Sequence, residues 1–282
     1  MRPCKDEAKE TTPFASSLYS LAGKRFAAQT IGAAFIGGGM EGDMNVLRSL
    51  ALALSCFTHL PAPRVEWSPE NMRFMMLWFP VIGALVGAFV ALWMFVSDLV
   101  GFGPVLRAVG ITLVPLAVTG GFHLDGFMDV VDAQVSHAEP EKKRKILKDS
   151  HIGAFAAMAV SAYLLLYFGL ATELPYGWRV AALVVCLHAM TRCGSAFATT
   201  LFWGNGQSGT LTSFRDSSDI RATVVVLVVS FAVALGAAIA VAPLAGCAMA
   251  AAEAGLLVWL NWFAKRNFGG MSGDVAGFFL QV

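Results

Sequence analysis

Six stretches of about 20 mostly apolar residues, the length that crosses a hydrocarbon core about 30 Å thick, run through this chain. They cover roughly 74–96, 106–122, 152–172, 179–203, 222–243 and 244–263. Lipid supplies no hydrogen-bond partners, so backbone in such runs must satisfy itself as α-helix. The last two runs abut at Pro243, which reads as a tight hairpin. Residues 46–60 (VLRSLALALSCFTHL) are apolar but short, and fit an interfacial or re-entrant helix stopped by Pro61 and Pro63. The final VAGFFLQV reads as the first two turns of a seventh span that the sequence does not complete. The expected fold is all-α: a polytopic integral membrane protein with six complete transmembrane helices, an interfacial helix and a truncated seventh span.

Composition closes off the other classes. Only 14% of the 282 residues are charged and 57% are hydrophobic, against about 25% charged in a soluble domain. A net charge of +1 excludes nucleic-acid binding by a basic face, and five cysteines exclude a disulfide scaffold. Cys4, Cys56, Cys186, Cys193 and Cys247 form no CxxC pair and no zinc spacing, and read as buried inert thiols. Residues 1–43 have a charged start and Gly37-Gly38-Gly39, without the apolar core of a secretory signal. They are expected to form a disordered N-terminal extension, with translation from Met44 as the alternative, and residues 44–282 to form one membrane-embedded catalytic domain.

Basic residues orient the spans. Of the 20 Lys and Arg, 17 fall in alternate loops on one side, among them Lys142, Lys143, Arg144, Lys145 and Lys148. Arg107 and Arg179 lie at span edges on the other side, and Arg192 lies within the fourth run. The charged loops are therefore expected to face the cytoplasm.

The acids show where chemistry sits. GGFHLDGFMDVVDA carries Asp125, Asp129 and Asp132, and spacings of four and three place them within about 60° on one helix face. Three like charges so close repel. A divalent cation removes the conflict, and oxygen ligands suit Mg²⁺; the bland alternative is a solvated acidic face with Asp125 as an N-cap. Pro140 opens a short helix (PEKKRKILKDS) expected to end near Gly153, whose basic run reads as a topology signal. Lys148, Asp149 and His151, at the mouth of the third span, are placed to grip a phosphate and a metal. In GGMSGD, the glycines Gly269, Gly270 and Gly273 let backbone N–H groups approach an anion, with Asp274 as a further ligand. Within the apolar runs, Arg192 is a phosphate clamp or the ion-pair partner of Glu253. His123 gains weight from lying two residues before Asp125.

At these residues the chain resembles a known family. HLDGFMDVVD, KDSHIGAFA and GGMSGD, in that order, are similar to the bacterial cobalamin synthases (adenosylcobinamide-GDP ribazoletransferases), with CFTHLPAP at 56–63 resembling the family's start. The similarity covers roughly residues 46–282. It implies a late step of cobalamin assembly at the bacterial inner membrane, in which α-ribazole or its 5′-phosphate joins adenosylcobinamide-GDP with release of GMP and use of Mg²⁺. Carried onto this chain, His123, Asp125, Asp129, Lys148 and Asp149 take catalytic roles. Arg192, Gly269, Gly270, Gly273 and His151 bind substrate, while Asp125, Asp129, Asp132 and Asp274 hold the metal. The implied partners are the two substrates and the lipid bilayer, with no nucleic acid; a homo-oligomer is admitted but not required.

Two departures stand out. The family usually has Arg where this chain has His59 and His151, and a histidine with a pKa near 6.5 is only partly charged at pH 7. The family also continues beyond the glycine loop, whereas this sequence ends eight residues after Asp274. The rival readings are a phosphatidyltransferase using a CDP-activated alcohol, whose DG is followed by AR instead of FMDVVDA, and a cation-coupled transporter with Arg192 and Glu253 in its pathway.

Overall fold

The computed structural model describes residues 41–149, 151–202, 204 and 216–282. The expected extension over residues 1–43 therefore lies outside the described residues up to position 40, as does Cys4. The elements are α1 (Glu41–Phe57), α2 (Pro69–Met72), a 3-10 turn (Met76–Trp78), α3 (Phe79–Val100), α4 (Pro104–Thr119), α5 (Phe122–Val135) and α6 (Pro140–Ile146). They continue as α7 (Ala154–Thr172), α8 (Trp178–Leu201), α9 (Ile220–Val241), α10 (Pro243–Phe268) and α11 (Gly273–Gln281). No strand occurs among the described residues; one isolated bridge joins Gly204 to Met271.

The helix ends follow local chemistry. Gly101 closes α3 in the left-handed conformation, and Pro104 opens α4 with its fixed φ. The α9 N-terminus is capped by Asp219, which accepts from Ala222 N–H at 3.1 Å and from Arg73 at 2.8 Å. Only Ala242 separates α9 from α10, so the hairpin expected at Pro243 is present.

Helix α8 is the hub. It packs antiparallel along α3 and also touches α9, α10 and α11. Close approach to α3 is possible because Gly83 faces the His188 backbone and Gly87 faces Val184 and Val185. By contrast α7, α9 and α10 turn apolar side chains outward, as with Leu165 (71% exposed) and Val258 (74%). That is the expected surface of a bundle whose solvent is lipid. Cys186 and Cys193 are buried and Cys56 half-buried, as free thiols usually are, but Cys247 lies on the outer face.

The membrane reading holds, with two refinements. Five helices among the described residues are long and apolar enough to span. The sixth, expected over 106–122, qualifies only as α4 and α5 together, and these are bent by 94°. The cause is local: Gly120 (φ 65°) and Gly121 (φ 75°) are consecutive left-handed residues, a turn that continues no helix. The segment expected to begin a seventh span is α11, capped by Ser272. It is buried against α5 and α8, with Val275 at 0% and Phe279 at 3% exposure. Its apolar residues thus face protein.

Candidate active site

The three motifs, far apart in the chain, meet at one end of the bundle. Helices α5 and α11 lie antiparallel with their backbones nearly touching. A Cβ on Gly126 would stand 2.8 Å from the Asp274 carbonyl oxygen, and one on Gly277 would stand 3.1 Å from that of His123. Small residues alone permit this approach, and it brings the first turn of α11 to the acidic face of α5. Gly126→Ala must push backbone against backbone, and overpacking of this kind costs about 1–3 kcal/mol. A lowered midpoint of thermal unfolding in detergent is the expected result. Gly103→Ala, at a site with nothing within 4 Å, is the control.

The carboxylates form one electrostatic unit. Asp129, half-buried, lies within reach of the charges of Asp125, Asp274, Asp132 and Asp149. Asp125 sits in the first turn of α5, its N–H bonded to the Gly121 carbonyl at 2.9 Å, so Gly121 and not Asp125 is the N-cap. Burial pushes the Asp274 carboxyl up to about 6; hydrogen bonds from its own N–H and from Ser272 and the charge of Lys148 oppose this, while Asp125 adds to it.

Asp132 is engaged differently. Its two carboxylate oxygens accept from the N–H groups of Gly153 (2.6 Å) and Ala156 (2.9 Å) at the start of α7. Helix α6 stops at Ile146, earlier than the charge run suggests, and the loop that follows exposes Lys148, Asp149 and His151. His151 donates from its backbone N–H (3.1 Å) to Asp149 Oδ1, and its Nδ1 lies 2.6 Å from the same oxygen. These bonds hold the Asp149 carboxyl below the ordinary carboxylate range. His59, the other departure from Arg, lies exposed against Gly120, where any side chain would meet its ring.

The glycine loop also has structural duties. The N–H groups of Gly269 and Gly270 are used on the carbonyls of Lys265 (3.2 Å) and Ala264 (3.1 Å), closing α10. They are not free to cradle an anion in this arrangement; Gly273, exposed at the start of α11, is the loop glycine that remains open. Part of the basic run is structural as well. Arg144 donates to the Phe268 carbonyl at 3.1 Å, and Lys143 donates to Gln134 (2.8 Å) and Asn267 (3.0 Å), strapping α6 across the ends of α5 and α10. A run of four basic residues carries no signal that distinguishes these two.

Behind the acidic cluster lies a buried polar group. Arg192 is 6% exposed; its Nη1 reaches only the neighbouring Thr191 hydroxyl (3.2 Å), and Nε has no partner. Glu253 is 4% exposed with Oε1 unpartnered, resting on Gly194. No ion pair within 4 Å joins the two, so the charge–charge alternative read from the sequence is not the contact formed. Tyr163 and Tyr167 on α7 lie within electrostatic reach of Arg192, and the Tyr163 hydroxyl donates to Gln281 at the end of α11 (2.7 Å). His123 is walled in by Phe57, Phe79 and Phe122, with ring centroids at 6.2, 5.8 and 5.3 Å.

Among the described residues no three histidine, cysteine or carboxylate side chains converge into a metal cage. The donor set nevertheless suits Mg²⁺, which takes one or two protein carboxylates and completes its shell with water and substrate phosphate. Four other acids lie within electrostatic reach of Asp129, so the cluster is short of countercharge.

Fold and site together define an all-α polytopic membrane protein with a carboxylate-rich site where three sequence motifs converge. Residues 49–282 match the cobalamin-5-phosphate synthase family, and the chain belongs to that family. Relatives named adenosylcobinamide-GDP ribazoletransferase support this. The protein of Lachnoclostridium phytofermentans is 30% identical over 239 residues, covering 84% of this chain and 90% of its own length. One from Clostridium botulinum is 31% identical over 240 residues, covering 84% and 94%. One from Clostridium perfringens is 32% identical over 237 residues, covering 83% and 93%. No solved structure matches. The resemblance read from the three motifs is borne out.

Proposed function

We propose that this chain is a Mg²⁺-dependent transferase that joins α-ribazole, or its 5′-phosphate, to adenosylcobinamide-GDP with release of GMP. It acts from the cytoplasmic face of the bacterial inner membrane, with residues 44–282 as the catalytic unit. The convergence of HLDGFMDVVD, the Lys148–Asp149 loop and Asp274 at one end of the bundle carries this reading. The excess of basic residues in the loops on that side supports the sidedness.

Asp125, Asp129 and Asp274 are the residues that would hold the cation, which supplies countercharge to the diphosphate oxygens. A ribazole hydroxyl attacks the cobinamide-side phosphorus, the new P–O bond forms, and the bond to the GMP oxygen breaks in line. A carboxylate of the cluster accepts the hydroxyl proton. Lys148, exposed and within electrostatic reach of Asp274, and buried Arg192, whose Nε has no partner, stabilise phosphate oxygens. His123, enclosed by aromatic rings of α1, α3 and α5, orients the attacking hydroxyl or takes its proton in place of the carboxylate. His151, tied to Asp149, contacts substrate at the rim.

Purified protein in detergent, given adenosylcobinamide-GDP, α-ribazole and Mg²⁺, is expected to release GMP in step with the joined product. Absence of GMP release from folded protein overturns the reading, and solute uptake confined to sealed vesicles would favour the transporter instead.

A further inference from the structure

Asp132 differs from its two partners in the acidic motif. The spacing groups it with Asp125 and Asp129, yet both of its oxygens are bonded to backbone N–H groups of another helix. That helix needs them. The first turn of α7 leaves N–H groups without intrahelical partners. The residue at its N-cap, Gly153, has no side chain to offer them. Capping acceptors stabilise a helix N-terminus, and a negative charge placed there adds to this. Gly153 is part of the device: a Cβ there would stand 2.6 Å from both Asp132 oxygens.

The link also fixes what precedes α7. Lys148 and Asp149 lie in the exposed loop between α6 and α7, and none of its described residues after Leu147 is buried. Yet Lys148 falls within electrostatic reach of Asp274, and Asp149 within reach of Asp129. The anchor at the far end of the loop is the Asp132–Gly153–Ala156 contact.

We propose that Asp132 is a positioning residue, not a metal ligand: it caps α7 from the neighbouring helix and so holds the Lys148–Asp149 loop against the acidic site. The inference rests on the transferase reading for its kinetic consequences, while its structural consequence stands apart from it.

The test therefore has two arms, both on the full chain in detergent. In the first, tryptic cleavage after Lys148 is followed by mass spectrometry without substrate. Asp132→Ala is expected to speed this cut at least fivefold, and Asp132→Asn, which keeps one acceptor oxygen but sets an NH₂ donor where the second oxygen accepted, to fall between the parent and the Ala variant. In the second, Asp132→Ala is expected to raise the KM for adenosylcobinamide-GDP at least tenfold while half-saturating Mg²⁺ stays within twofold. Combining it with Lys148→Ala should add less than the product of the two single effects, because both act through one loop. Should Asp132→Ala fail to fold, Gly153→Ala strains the same link from the other side and is expected to give the same pattern more weakly. Unchanged cleavage in the first arm overturns the proposal whatever the activity. So does a tenfold or greater rise in half-saturating Mg²⁺ shared by the Ala and Asn variants, which is the behaviour of a metal ligand. Loss of the transferase reading alone, with no GMP release from the parent protein, leaves the proteolytic arm to decide.

Discussion

Asp129→Ala is expected to lower turnover about 10³-fold or more, roughly 4 kcal/mol of transition-state stabilisation, while the protein inserts and folds as before. The asymmetry follows from its surroundings. Asp129 is the carboxylate within reach of four other acids, Asp125, Asp274, Asp132 and Asp149. Removing it relieves repulsion in the folded protein, so the midpoint of thermal unfolding should hold or rise. What disappears is a central oxygen donor of the cluster. GMP release against Mg²⁺ concentration, measured beside thermal unfolding in detergent, checks both halves. Near-normal turnover would remove Asp129 from the metal site, and a large loss of stability would make its role structural.

Arg192→Met should separate function from stability in the same way, with a different physical cause. A buried guanidinium with an unpartnered Nε and no ion pair within 4 Å is costly in a folded chain, but its charge still reaches buried Glu253, so Met relieves one desolvation cost and removes a countercharge at the same time. If Arg192 stabilises phosphate oxygens, its removal costs about 10²–10³-fold in turnover, the usual scale for one such donor. The expected signature is a thermal midpoint close to that of the parent, because the two effects oppose each other, with turnover down by that factor. The opposite signature, lost stability with retained turnover, would assign Arg192 to holding Tyr163, Tyr167 and Glu253 together instead. Arg192→Lys should not rescue, since an ammonium lacks the planar fork of donors.

The two departures from the family's arginines can now be placed. His151 is tied to Asp149 by two contacts to one oxygen, and His59 packs on Gly120 at the bend between α4 and α5. Both stand at the edge of the site, away from the α5–α11 contact.

How much was legible in the sequence depended on range. The apolar runs were read closely: the hairpin at Pro243 and the stop of α1 before Pro61 follow from adjacent residues. The acidic spacing was equally plain, and Asp125, Asp129 and Asp132 do share α5. The same periodicity could not show the bonds Asp132 makes to α7, because spacing says which face a carboxylate occupies and nothing about a second helix arriving there. Gly153 was the available clue, an N-cap with no side chain of its own. Lys143 and Arg144 were hidden among equivalent charges, and only their partners Gln134, Asn267 and the Phe268 carbonyl distinguish them.

By itself the sequence determined the class: a helical membrane bundle, because the length of an apolar run and the spacing of charges along a helix are local properties that lipid and backbone hydrogen bonding translate directly into structure. The tertiary structure alone decided that residues 123–132, 148–149, 151–153 and 269–281 form one place. It turned the last apolar segment inward as α11. It also let α5 and α11 touch through Gly126 and Gly277. Those outcomes depend on which backbones can approach each other closely, and that is settled by packing between helices, not by local sequence.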